Sequence, residues 1–118
     1  MLKRRYKATR LNIGETIKTG FSISGNFLYA KLSKKETEKT GFAVVISKKN
    51  EKTSVGRHLI IRRIVGCIED NLPKINPDFK KTVVFFIKNN PKPANYKDIR
   101  KDVDFIFVRI NELHQPHK

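Results

Sequence analysis

At 118 residues the chain has the length of one domain, and 38% hydrophobic residues with eight Phe exclude a disordered polyelectrolyte. Twenty-six Lys and Arg against 11 Asp and Glu leave a formal charge of +15, beyond the magnitude of roughly 2 to 8 usual for a small soluble domain. Such a field selects polyanions, nucleic acid first, because each phosphate contact releases counterions.

No apolar run nears the roughly 18 residues of a membrane span. The basic start MLKRRYKATR lacks the apolar stretch of an export signal. A cytoplasmic protein with no membrane partner is therefore expected. Cys67 is alone, which excludes an internal disulfide or a Cys-pair zinc site, and its apolar neighbours predict buried packing.

Asn12 and Glu15 have capping-box spacing, Ile13 and Ile17 share a face, and Gly20 stands where a helix would end. Together they predict a helix over 12–19. NFLYAKLS then alternates as a strand does: Leu28, Ala30 and Leu32 on one side, Phe27, Tyr29 and Lys31 on the other. KKETEKT reads as a charged turn. GFAVVIS follows as a β-branched strand, expected to form a hairpin or meander with the first.

Thr53 or Ser54 is the expected cap of a helix that starts near Val55 and runs to about Asn71, ahead of Pro73 and Pro77. KTVVFFIK is apolar on both faces over Val83 to Ile87, as in a central strand covered on both sides. NNPKPAN is a loop, and Asn95 with Asp98 suggests another helix start. Tyr96, Ile99, Val103, Ile106, Phe107 and Ile110 recur at helical spacing, although DFIFVRI alone also reads as a strand. The order helix, strands, helix, strand, helix predicts an α/β sandwich of one sheet with helices against it. Residues 1–112 are expected to form one RNA-binding domain, with 113–118 a flexible tail.

The octet GRHLIIRR within the second helix mixes cations with aliphatics. At about 100° per residue, Ile60, Ile61, Ile64, Val65, Cys67, Ile68 and Leu72 gather on an apolar face, and His58, Arg62 and Arg63 project as a ridge. Arg57 sits at the helix entrance, nearer the apolar side. Lys48, Lys49 and Lys52 extend the ridge upstream, and helix N-terminal amides add their own preference for anions. A second candidate surface is Phe27, Tyr29 and Lys31, where aromatics stack unpaired bases and a cation holds phosphate; packing against the first helix is the alternative.

An enzyme acting alone finds little support. Glu36 and Glu38 lie in a turn, Glu69 and Asp70 close a helix, and Asp98, Asp102 and Asp104 read as a solvated helix face. His58, His114 and His117 show no ligand set. No Ser or Cys has an evident activating partner, no Gly-rich phosphate loop is present, and no helix precedes GRHLIIRR at helix-turn-helix spacing.

The order of these parts carries a resemblance. LKRRYK, NIGETIKTG, NFLYAKL, GFAVVISKK, TSVGRHLIIRRI, VVFFIK and the helix after NYKDIRKD together resemble the bacterial ribonuclease P protein component, over about residues 1 to 110. The resemblance implies a two-layer α/β (α+β) sandwich of the ribosomal protein S5 domain 2-like type with a left-handed crossover, where right-handed is the rule. It implies a ribonuclease P catalytic RNA as partner and precursor tRNA as substrate, whose 5′ leader is removed endonucleolytically in tRNA maturation. It also implies that Mg2+ enters through the RNA, with no cofactor held by the protein alone and no obligate protein partner.

Carried over by position, the family's Arg-Asn-Arg helix falls on Arg57, His58 and Leu59, followed by Arg62 and Arg63, as a contact for the catalytic RNA. Lys48 and Lys49 match its Ser-Lys-Lys element. Leu59 replaces the second Arg, and Ile61 stands where a cation is usual. The leader-binding cleft falls on Ile13, Ile17 and Tyr29, beside Phe27 and Lys31, with Tyr29 alone keeping the family's aromatic character. A ribosome-associated or general RNA-binding module on the same fold, without a role in cleavage, is the alternative.

Overall fold

A computed structural model describes residues 6–46, 53–75, 79–88 and 96–114. The first helix, α1, spans Arg10–Thr19 and starts two residues before the expected position. Thr9, in extended conformation, is the cap, and its hydroxyl accepts the Asn12 N–H at 3.2 Å. Asn12 is therefore inside the helix, not at its cap. Gly20 ends α1 as expected, with its N–H donated to the Thr16 carbonyl at 2.8 Å. A Cβ at Gly20 would collide with the Thr16 and Leu32 carbonyl oxygens, so the chain can turn this closely only with Gly here.

Four strands follow: β1 (Phe21–Ser24), β2 (Leu28–Leu32), β3 (Gly41–Val45) and β4 (Thr82–Ile87). Their order in the sheet is β1-β2-β4-β3, antiparallel except for the parallel β3 and β4. One of these strands was not expected, and one expected pairing needs correction. FSIS forms a strand that its short length and two serines did not announce. GFAVVIS makes no hairpin with β2, because β4 is inserted between the two. The densely apolar β4 is central as expected, flanked by strands on both edges and almost wholly buried.

The second helix, α2, spans Ser54–Asn71 and runs into a 3₁₀ turn at Leu72–Lys74 that absorbs Pro73. The third, α3, spans Tyr96–His114, so DFIFVRI is helical. Strand register divides the side chains between two faces. Ile23, Ala30 and Phe85 align across β1, β2 and β4, and with Leu32, Phe42 and Val83 they form one core with Ile64 and Ile68 of α2 and Val103 and Phe107 of α3. On the opposite face Tyr29 pairs with Phe86 and Lys31 with Val84. There α1 packs over β2 and β4.

The helices α2 and α3 are also joined by polar contacts. Arg100 donates to Asp70 at 2.7 Å and to the Tyr96 hydroxyl at 3.1 Å, and the Asn71 amide donates to the Cys67 carbonyl and to Asp104. Cys67 is fully buried, as its neighbours predicted. Burial pushes its thiol pKa up, against the smaller opposing effect of its hydrogen bond to the Tyr96 hydroxyl.

Asp102 departs furthest from expectation. It is not on a solvated face; it is 4% exposed. Its carboxylate accepts the backbone N–H groups of Asn26 at 3.2 Å and Leu28 at 2.8 Å, and that of Phe27 between them. A buried carboxylate is tolerable where several donors converge on it. Here the donors are the turn between β1 and β2.

Candidate nucleic-acid interface

Thr53 caps α2 by accepting the Gly56 N–H at 3.0 Å, and no acid lies in the first turn. The first turn therefore puts no negative charge against the positive end of the helix. Ile64, Cys67 and Ile68 are buried and Ile60 and Val65 pack partly against the core, which fixes the orientation of the cations. His58 and Arg62 are exposed. Arg57 is half-buried at the helix entrance, where its guanidinium donates to the Ser54 hydroxyl at 3.2 Å.

The predicted ridge is divided. His58 and Arg62 line a cleft of about 700 Å³ between α2, β3 and the segment at Lys7 and Ala8. Arg63 is half-buried and lies about 100° further round the helix from Arg62. One turn on from Arg63, Cys67 meets Tyr96 of α3. The two family departures also separate: Leu59 is 46% exposed, whereas Ile61 is a wall of the cleft. Lys48, Lys49 and Lys52 fall outside the described residues.

The second surface lies across the sheet, under α1. The Tyr29 ring stacks on Phe86 with centroids 4.9 Å apart and planes 8° from parallel. Ile13 is half-buried and Ile17 exposed on α1. Lys31 reaches up from β2 to donate to the Ile17 carbonyl at 2.9 Å, so it closes the last turn of α1 as a cation should.

Phe27 lies just outside β2, half-buried. It precedes β2 in a bend, where its carbonyl accepts the Lys88 N–H at 2.9 Å and its own N–H is held by Asp102. The aromatic partner of Tyr29 is Phe86, which sequence reasoning missed. Only the β2–β4 register reveals the pair. Lys7 was missed too, since nothing in its neighbours announces that it bridges to Phe42 at the sheet edge. Among the described residues no group of His, Cys, Asp or Glu could hold a metal ion, and no helix is long and apolar enough to cross a membrane.

The family described as Ribonuclease P matches residues 3–111. The chain belongs to this family. It is the protein subunit of ribonuclease P, a component of a ribonucleoprotein enzyme. A search of curated proteins finds no match.

Solved ribonuclease P proteins share the fold at low identity. The protein from Thermotoga maritima superposes with a TM-score of 0.74 at 14% identity, over 91% of this chain and 98% of that one. The protein from Staphylococcus aureus gives 0.73 at 15%, over 100% and 99%. A mutant of the Staphylococcus aureus protein, described as defective in mRNA degradation activity, gives 0.72 at 14%, over 92% and 88%. The architecture of this ribonuclease P protein is thus retained where few side chains are.

Proposed function

We propose that the exposed side of α2, with Arg57, His58, Arg62 and Arg63 continued by Lys48, Lys49 and Lys52, binds the catalytic RNA of ribonuclease P. The opposite face of the sheet, with Ile13, Ile17, Tyr29 and Phe86, receives the 5′ leader of precursor tRNA, and Phe27 and Lys31 border it. Residues 1–112 act as one RNA-binding unit in the cytoplasm, and Mg2+ is held by the RNA. The protein positions the substrate and screens phosphate repulsion, while the RNA carries out endonucleolytic cleavage.

The observation that carries this reading is the build of α2. One side is locked into the core by Ile64 and Ile68, and the other presents His58 and Arg62 to solvent behind a first turn free of acids. Fixed cations on a rigid element suit phosphate recognition better than mobile ones.

Reconstitution with the cognate catalytic RNA tests it. The protein should raise cleavage of precursor tRNA at low Mg2+ and cleave nothing by itself. Equal affinity for unrelated structured RNA together with unchanged cleavage would refute the proposal.

A further inference from the structure

The cleft beside α2 has an edge that the phosphate reading leaves unused. Strand β3 lies at the border of the sheet. Gly41 donates its N–H inward to Lys81 at 3.2 Å, and the next residue, Phe42, turns its carbonyl outward to accept the Ala8 N–H at 3.1 Å. Backbone groups alternate along a strand, so the N–H and C=O of Val44 point outward like those of Phe42. The segment that covers Phe42 turns away into α1 at Arg10. Val44 thus presents one donor and one acceptor into the cleft, with no backbone partner outside β4 among the described residues.

Around this pair the walls are apolar: Val44, Ile61 and Val65, over Phe42 and Ile68. Lys7, His58 and Arg62 stand at the rim and are exposed or nearly so. The volume of about 700 Å³ falls in the range of about 300–1,000 Å³ typical of ligand sites. One acid, Glu69, also lines the cleft.

We propose that this cleft receives one unpaired base of an RNA strand, with one face against Ile61 and Val65, its hydrogen-bonding edge on the Val44 backbone, and its flanking phosphates on Lys7, His58 and Arg62. The proposal rests on α2 being an RNA contact and adds what the contact reads. A base has apolar faces, a polar edge and a charged backbone, and the cleft supplies the complement of each. An added peptide strand fits less well, since β-augmentation needs a run of free edge groups and Ala8 already occupies Phe42. The apolar Ile61, out of place in a purely cationic ridge, is here a wall for the base.

The test uses the full chain, isotope-labelled, with a short single-stranded RNA and with a base-free ribose-phosphate oligomer of equal length as probes. The Val44 amide and the Ile61 and Val65 methyl resonances should move with the first probe and stay put with the second, while His58 responds to both. Filling the cleft with Val65→Trp should weaken the base-bearing oligomer about tenfold and leave its salt dependence unchanged. The wild-type spectra decide the matter even if that variant does not fold. A silent Val44 amide, or one that moves equally with both probes, overturns the proposal. The broader reading of α2 fails separately, when the catalytic RNA is bound no better than an unrelated one.

Discussion

The Asp102 carboxylate accepts the Leu28 backbone N–H at 2.8 Å across 74 residues of sequence, and so ties the first half of α3 to the first residue of β2. With the Asn26 and Phe27 N–H groups also held, one side chain satisfies a whole turn. Removing it leaves the buried Leu28 N–H, and the part-buried ones of Asn26 and Phe27, without their acceptor. Charge-assisted hydrogen bonds are worth about 1.5–3 kcal/mol each where the orphaned partner stays dry. Asp102→Ala should therefore lower unfolding free energy by about 3 kcal/mol in urea titration, and Asp102→Asn, which keeps one acceptor oxygen, by less. A loss under about 1 kcal/mol would show that water replaces the carboxylate. Gly25→Ala should also destabilise, because its Cβ would come within 2.8 Å of the Asp102 carboxyl carbon.

Burial holds the Cys67 thiol pKa above its ordinary value. As pH rises toward that ordinary value the unfolded chain loses its thiol proton first, so the unfolded state binds fewer protons and stability falls. This contribution is complete below the unfolded pKa, about 8.5, and is lost as pH rises through the folded value. The wild type should lose more stability than Cys67→Ala between neutral and alkaline pH, as read by parallel urea titrations. Alkylation of the native thiol should be slow and should accelerate with denaturant. Parallel curves for the two proteins would contradict this account.

Arg62→Ala should reduce the slope of log affinity against log salt for the catalytic RNA by about 1, the share of one phosphate contact. Filter binding over a salt series measures it. Because Arg62 is exposed, folding stability should change by less than about 0.5 kcal/mol.

Tyr29→Ala should weaken precursor tRNA by about 1–3 kcal/mol, the usual value of one stacked base, and leave mature tRNA unaffected. The ratio of the two affinities is the useful readout, since it cancels any loss of protein stability from breaking the stack with Phe86. Equal weakening of both RNAs would separate Tyr29 from the leader.

Periodicity made α2, α3 and β4 legible because their apolar residues repeat densely and their ends are marked by Thr53, Pro73 and the polar segments around β4. The parts that escaped depend on contacts distant in sequence. Ser22 and Ser24 hide β1, whose inward residues are only Phe21 and Ile23, and pairing with β2 is what makes it a strand. Asp102 looks like any acid on a polar helix face until the turn at Asn26 arrives above it. Of the candidate site, the anchoring of α2 and the exposure of His58 and Arg62 could be read from the helical projection, as could Tyr29 on its face. The Phe86 partner and the partial burial of Arg63 could not, because both follow from how elements pack.

The sheet order has a consequence for assembly in time. Strands β2 and β3 do not touch, and β4, made after both, joins them. Long-range pairings of this kind are slow to form because a loop must close before any contact rewards it. A growing chain can form the β1–β2 hairpin and expose the cations of α2 well before β3 is seated. Any RNA that meets the nascent protein therefore encounters its charge first and its shape afterwards.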